Sequence, residues 1–162
     1  MKIVAYNIID ILNKAINVDN KTKIIIKNIA NENEEIKPIK LINNVMIKQL
    51  DIGTKYYEDL IEKLQGETLS DVDFMTYDKI SFLVSEFNNK QYSPVIKNPR
   101  DFLMFTMELS KERYSLFVDI QGRLVNNTGD SNSKTYNVLN SIIDNINKQI
   151  IGIEEVLNKK YT

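Results

Sequence analysis

Residues 136–157, YNVLNSIIDNINKQIIGIEEVL, carry the clearest periodic pattern in the chain. Their apolar side chains recur at alternating intervals of three and four residues, at Tyr136, Leu139, Ile143, Ile146, Ile150, Ile153 and Leu157. This is an a/d stripe over about three heptads, and it predicts a long C-terminal helix. Ile142 and Ile151 widen the stripe, which is typical of a helix that packs on the rest of its own domain.

The same stripe allows a second interpretation, in which the helix pairs with its counterpart in another copy of the chain. The residues that would make this contact are Leu139, Ile143, Ile146, Ile150, Ile153 and Leu157. Coiled coils usually flank such a stripe with opposite charges, whereas Asn145, Asn147 and Gln149 stand beside this one. We therefore expect packing within the chain, and a homodimer through the C-terminal helix is the alternative.

Upstream of this helix the hydrophobic pattern changes its period. A polar loop is expected over residues 126–134. Before this loop, apolar residues alternate with other residues in two runs, which are Leu103, Phe105, Met107 and Leu109, and then Tyr114, Leu116, Val118 and Ile120. A period of two predicts strands, and Asp119–Gly122 resembles a hairpin turn. The sequence therefore favours a short antiparallel β-meander near residues 102–125. The alternative is a helix that starts at Asn98-Pro99, with Phe102, Phe105 and Leu109 on one face.

The N-terminal part of the chain predicts helices joined by short connections. Residues 3–16 have an apolar face with helical spacing, and Asp19-Asn20 would end that helix. Residues 21–30 are ambiguous between strand and helix, and we favour helix because the neighbouring segments are helical. Pro38 marks the start of another helix, since proline suits the first helical turn.

Glycine and polar residues predict the next boundaries. Gly53 is expected to kink or split the helix that starts at Pro38, and Gly66 is expected to end it. Ser70 and Asp73 resemble a capping box for the following helix. That helix has an inward apolar stripe that includes Met75, Ile80 and Phe87, and Asn88-Asn89 would close it. Residues 92–99 contain two Xaa-Pro pairs, which favour extended backbone, so they are a predicted connecting loop.

Together these elements predict an α+β fold that is mainly helical, with N-terminal helices, a short antiparallel meander and a long C-terminal helix. The 162 residues include only three prolines and five glycines, and they contain no internal repeat or flexible linker. This length is ordinary for one domain. We therefore predict a single domain over residues 1–162.

The composition excludes several catalytic chemistries, because the chain has no histidine and no cysteine. Without cysteine there is no disulfide, thiolate nucleophile or zinc finger. Without histidine there is no Ser-His-Asp relay and no side chain whose ordinary pKa lies near neutrality. Glycine-rich phosphate-binding motifs are missing as well. The sequence therefore predicts a protein that is not an enzyme and uses no cofactor or metal.

Charge is unevenly distributed, although the net charge is only −1. Residues 51–89 contain nine acidic residues and three lysines. The acidic side chains expected to form a partner-binding face are Glu58, Asp59, Glu62, Glu67, Asp71, Asp73 and Asp78. Complementary charge speeds the association of proteins, so the expected partner is another protein with a basic surface.

Two alternative functions follow from other clusters. A nucleic-acid-binding regulator would use the lysines of the N-terminal segment, which are Lys21, Lys23 and Lys27. The chain has only three arginines and a balanced charge, so nucleic acid is not the expected partner. A carboxylate-dependent enzyme would hold Mg²⁺ with Asp71, Asp73 and Asp78, but acids at a helix start are routine. Ser131–Lys134 matches the S-x-x-K nucleophile pattern without its companion motifs.

Membrane and secretion signals are missing from the sequence. Polar residues interrupt the apolar N-terminus, so no signal peptide is expected, and no run of about 18 apolar residues is present to cross a membrane. We expect a cytoplasmic protein that acts by contact with another protein, as an adaptor, inhibitor or assembly factor. The abundance of Ile, Asn and Lys, whose codons are AT-rich, fits an accessory protein of a phage or mobile element.

Overall fold

The computed structural model describes residues 5–128 and 134–160, which form five helices. The helices are α1 (Ile8–Glu32), α2 (Lys37–Leu64), α3 (Phe74–Asn89), α4 (Pro99–Thr128) and α5 (Lys134–Lys160). Helix accounts for 83% of the described residues, which contain no strand or sheet. The fold is therefore all-α, and the α+β fold predicted from the sequence is wrong.

α1 and α4 lie at the centre of the molecule, since each contacts all four other helices. α1 and α2 form an antiparallel hairpin through residues 33–36, and α4 and α5 also pack antiparallel. α3 packs on α1 and α4. One apolar cluster contains buried residues from all five helices. Within the described ranges, no helix is long and apolar enough to cross a membrane.

The predicted C-terminal helix is confirmed as α5. Its apolar stripe faces the chain's own core, where the six side chains Leu139, Ile143, Ile146, Ile150, Ile153 and Leu157 are all buried. The helix continues through Gly152, where a Cβ would meet no atom within 4 Å. The stripe that shows so clearly in the sequence is thus the inner face of an amphipathic helix.

The β-meander predicted near residues 102–125 is wrong, because this segment lies inside α4. The alternative, a helix that starts at Asn98-Pro99, is correct. Asp119–Gly122 is helical instead of forming a hairpin turn, and the Asp119 carboxylate pairs with Arg123 one turn later at 3.2 Å.

Buried polar residues explain why α4 does not look helical in its sequence. Its buried positions do repeat at helical intervals, at Phe102, Thr106, Leu109, Arg113, Phe117, Ile120 and Leu124. Thr106 and Arg113 occupy two of these core positions, and the buried Ser110 lies between them. When only apolar residues are considered, the helical period of α4 is therefore interrupted at these positions. The apolar residues that remain alternate in a way that resembles a strand.

α1 is longer than the sequence predicts. Residues 21–30 are helical, which confirms the favoured interpretation, but Asp19-Asn20 does not end the preceding helix, because α1 continues to Glu32. Aspartate usually favours caps and turns, yet Asp19 is buried here and binds Arg113 of α4. It is a core residue of one long helix.

The predicted start of α2 is confirmed, since the helix begins at Lys37 with Pro38 in its first turn. The expected split at Gly53 is wrong, because α2 is continuous from Lys37 to Leu64. Gly66 follows the end of the helix by two residues, as predicted for a stop signal. Gly53 is buried instead at a contact with Asn145 of α5.

Candidate partner-binding surface

The start of α3 is fixed by one side chain and one backbone contact. Asp73 caps the helix, since its carboxylate accepts a hydrogen bond from the Thr76 amide at 3.2 Å. The predicted cap at Ser70 is therefore wrong by about one turn. One residue before the cap, the Val72 amide donates to the Tyr6 carbonyl at 2.7 Å and forms an isolated antiparallel bridge. These contacts attach the entry of α3 to the chain just before α1.

The outward side of α3 carries three large apolar side chains. Phe74, Met75 and Phe82 are 65%, 75% and 60% exposed, and Asp78 lies among them at helical spacing. At about 100° per residue these four residues occupy a sector of about 100°. We call this set, Phe74, Met75, Asp78 and Phe82, the α3 face. The inward stripe predicted for this helix is correct for Ile80 and Phe87 but wrong for Met75, which points outward.

Aromatic stacking supports the α3 face from the side of α1. The rings of Tyr6 and Tyr77 stack with centroids 3.8 Å apart, and the Phe74 ring lies 6.4 Å from that of Tyr6. The Lys14 ammonium stands 5.6 Å from the centroid of the Tyr77 ring. Burial raises the pKa of the Tyr77 phenol above its ordinary value, so this side chain stays neutral at physiological pH. The surface is therefore built on a packed base.

Three of the predicted acidic residues lie around this face. Asp71 and Asp73 precede α3, Asp78 is within it, and all three are exposed. Asp73 is used as the helix cap. Among the described residues, no ion pair involves Asp71 or Asp78. The α3 face therefore has an acidic border whose carboxylates face solvent.

The other four predicted acidic residues belong to different parts of the surface. Glu58, Asp59 and Glu62 are exposed near the end of α2, and Asp59 pairs with Lys55 at 2.8 Å. Glu67 lies between α2 and α3 and pairs with Lys134 at 2.7 Å. The seven residues predicted as one acidic face are thus distributed over two helices and their connection.

Other residues were expected to serve metal binding, nucleic-acid binding or catalysis. Within the described residues, no group of three or more acidic side chains is arranged to hold a metal ion. Lys23 of the predicted nucleic-acid segment pairs with Asp51 at 2.7 Å. In the S-x-x-K motif, residues 131–133 lie outside the described ranges, and Lys134 is held by Glu67.

A polar groove separates α1 from α3 beside the stacked tyrosines. Its volume is about 520 Å³, and its walls consist mainly of amide, hydroxyl and charged side chains, such as Asn13, Lys14 and Ser85. Asn17 of α1 accepts a hydrogen bond from Asn88 of α3 across it. The groove is therefore a surface feature between α1 and α3. Most of the apolar side chains lie beneath it, in the core.

The interior contains a charged cluster that the sequence reasoning missed. The side chains of Arg113 and Asp19 are only 1% and 2% exposed, and Nη1 of Arg113 donates to Oδ1 of Asp19 at 2.8 Å. Nη2 donates to Ser110 and to Gln149 of α5. Three helices, α1, α4 and α5, therefore meet through one guanidinium.

Burial determines how the acid of this cluster titrates. Burial raises the pKa of Asp19 above its ordinary value, and the nearby Arg113 offsets only part of that effect. The Thr54 hydroxyl lies close enough to favour the ionised carboxylate, although Oδ2 of Asp19 has no hydrogen bond of ordinary geometry. Burial also raises the pKa of Tyr57, whose hydroxyl accepts a hydrogen bond from Asn145 at 3.1 Å.

One feature of the sequence is consistent with this cluster. Asp19 follows Ile11, Ala15 and Val18 on the inner face of α1, and Arg113 stands at a core position of α4. A charge on the inner face of each of two helices suggests a buried pair, because a buried charge requires a partner. The segments must first be recognised as continuous helices, which the sequence pattern did not allow.

Comparisons with known proteins do not add to this geometry. No protein-family model, curated protein or solved structure matches the chain.

Proposed function

We propose that the protein acts by binding another protein with a basic surface, and that the α3 face is the contact site. The observation that carries the proposal is the exposure of Phe74, Met75 and Phe82 on one side of a helix. Such a protein would serve as an adaptor, inhibitor or assembly factor without catalysing a reaction.

The apolar residues of the α3 face are suited to supply affinity. Burying a Phe or Met side chain contributes roughly 1.5–3 kcal/mol, and aromatic residues and Met are enriched in the centres of interfaces. Three such residues exposed side by side are typical of a binding site whose partner covers them. Their support by the Tyr6–Tyr77 stack reduces the entropy lost on binding, because little rearrangement is needed.

The charges around the face are suited to select the partner. Asp71 and Asp73 at its border and Asp78 within it are acidic, and Lys79 is the one adjacent cation on α3. Carboxylates around an apolar centre attract a basic surface and increase its association rate. They also disfavour acidic partners, including nucleic acid, because like charges would be brought together.

Site-specific crosslinking in a lysate of the native host tests the proposal. A photoreactive amino acid would replace Met75 in one full-length chain and Val95 in another, since both side chains are 75% exposed. We expect position 75, and not position 95, to crosslink to one specific protein. Raising the salt concentration should reduce capture, because charge steers the association.

Substitutions then identify the contact residues. Phe74→Ser should reduce capture of that protein by about tenfold or more, as expected for an interface anchor, whereas Val95→Ser should leave it unchanged. Charge reversal of Asp71 and Asp78 to Lys should weaken capture more than the same reversal of the exposed Glu34 and Glu35. Equal capture by the Phe74→Ser and Val95→Ser chains would refute the α3 face as the binding site.

A further inference from the structure

We propose that a second copy of the chain docks on α2, with the two α2 helices antiparallel about a two-fold axis beside Lys48 and Gln49. The contact residues, here called the α2 stripe, are Leu41, Val45, Ile52 and Tyr56. This association concerns a different helix from the α3 face and does not depend on the function proposed above. It also differs from pairing through α5, whose apolar stripe is buried in the chain's own core.

The α2 stripe is a row of large apolar side chains open to solvent. Leu41, Val45, Ile52 and Tyr56 are 69%, 46%, 60% and 44% exposed. At about 100° per residue they fall within a sector of about 60°, and the row is about 22 Å long. The half-buried Ile42 and Leu60 are packed against the core beside it. An exposed apolar row on one helix face is typical of a docking surface.

The spacing of the stripe is the same in both directions. Its intervals are four, seven and four residues, so the row is symmetric about the midpoint between Lys48 and Gln49. An antiparallel pair of α2 helices would therefore place Leu41 against Tyr56 of the second copy and Val45 against Ile52. This is the self-complementarity that a two-fold interface requires.

The charges of α2 select the same orientation. Residues 37–50 contain three lysines and no acid, whereas residues 51–64 contain four acids and two lysines. Antiparallel pairing brings the basic half of each helix beside the acidic half of the other, with Lys37 near Asp59 of the second copy. Parallel pairing would place like charges together and is disfavoured. Asp59, which pairs with Lys55 within the chain, would thereby gain a second cation.

The space beside the stripe can accept side chains of a second copy. A groove of about 350 Å³ lies between α2 and α5, with Ile52 and Tyr56 on one wall and Asp144 and Lys148 on the other. In the proposed pair, Leu41 of the second copy meets Tyr56 and enters this groove. Each copy contributes four exposed apolar side chains, so the interface is small, and we expect a reversible dimer in the micromolar range.

Sedimentation equilibrium on the full chain over a series of concentrations tests the pairing. The wild type should show a dimer fraction that rises with concentration, and Ile52→Glu should raise the dissociation constant by about tenfold or more. Ile24→Glu is the matched control, because Ile24 is 53% exposed on α1, and it should dimerise like the wild type. Circular dichroism of both variants checks that the helical content is unchanged.

Charge exchange tests the antiparallel orientation. Lys37→Glu should weaken the dimer, and so should Asp59→Lys. One chain with both substitutions should regain it, because the two charges are exchanged together. A parallel pair would be insensitive to each single substitution, since like residues would face each other before and after.

The proposal would be overturned by a wild type that stays monomeric at the highest concentration, or by equal dimerisation of the Ile52→Glu and Ile24→Glu chains. A chain with both charge substitutions that remains monomeric would contradict the antiparallel arrangement. Phe74→Ser leaves α2 unchanged and should dimerise like the wild type. The outcome at α2 is thereby separated from the outcome at the α3 face.

Discussion

At the scale of single residues, Arg113 connects the interior of the molecule. Its guanidinium is buried and joins Asp19 of α1, Ser110 one turn earlier on α4 and Gln149 of α5. An intact buried ion pair adds little net stability, because desolvation offsets the attraction of the charges. We infer that the main effect of the cluster is to align three helices, since any shift would leave a buried charge without its partner.

We expect Arg113→Met to lower the free energy of unfolding by about 3–5 kcal/mol near neutral pH, because the Asp19 carboxylate stays buried without its counter-ion. The loss should shrink at acidic pH, because protonation of Asp19 neutralises the buried charge. Burial raises the pKa of Asp19, so the folded state binds a proton more readily than the unfolded state. The free energy of unfolding therefore falls as pH rises above the ordinary pKa of aspartate. Urea unfolding at several pH values measures both effects.

Arg123→Met is the matched control, because Arg123 lies on the same helix in an ion pair with Asp119 near the surface. That variant should change the free energy of unfolding by about 0.5 kcal/mol or less. Similar losses for the two variants, or a loss at Arg113 that does not vary with pH, would contradict the assigned role of the buried pair.

At the scale of helices, Gly53 of α2 leaves room for the Asn145 side chain of α5. A Cβ at this position would lie 2.8 Å from Nδ2 of Asn145, and that amide donates a hydrogen bond to Tyr57. Glycine weakens a helix by about 1 kcal/mol relative to alanine. Its position in the middle of α2 therefore follows from a contact between helices, and not from a break in the helix.

We expect Gly122→Ala to raise the free energy of unfolding by about 0.5–1 kcal/mol, since alanine favours helix and a Cβ there meets no atom within 4 Å. Gly53→Ala has the same intrinsic gain but displaces the Asn145 amide from Tyr57, so it should be less stable than the wild type. Chemical denaturation of both variants measures the difference.

The Asn145→Ala background separates the two effects at Gly53. Once the amide is removed, Gly53→Ala should become stabilising, because only the gain in helix propensity is left. Should Gly53→Ala stabilise the wild type as much as Gly122→Ala does, the contact with Asn145 would not be the reason for this glycine.

At the scale of the whole molecule, the helices differ in how firmly they are held. α1 and α4 each contact every other helix, whereas α3 packs on these two and buries only Thr76, Ile80, Val84 and Phe87 of its own residues. Local opening requires less free energy where fewer apolar side chains are buried. The α3 face therefore lies on the helix that is held least firmly.

We expect native-state hydrogen exchange to show that amides of α3 exchange through local opening, at a lower free energy than amides in the middle of α1 and α4. The latter should exchange only on global unfolding, because opening either helix disrupts contacts with all the others. Exchange of α3 at the same free energy as α1 and α4 would mean that the five helices unfold as one unit.

The sequence predicted those parts of the fold where an unbroken apolar period lies within one helix. The seven-position stripe of α5 and the Pro38 start of α2 are examples. α4 was missed because the polar residues Thr106, Ser110 and Arg113 occupy core positions and interrupt its apolar pattern. At the candidate site, the exposed Asp71 and Asp78 were expected from charge, but the outward Met75 was assigned to the inner stripe.

By itself, the sequence determined that histidine and cysteine are missing from these 162 residues and where most of the helical segments lie, because composition and periodicity are properties of the local chain. Only the tertiary structure decided that Asp19 binds Arg113, 94 residues away, and that Asp19 therefore belongs within a helix. It also decided which sides of α2 and α3 stay uncovered. The physical reason is that burial depends on which helices pack together, and hydrophobic periodicity identifies an inner face without identifying what lies against it.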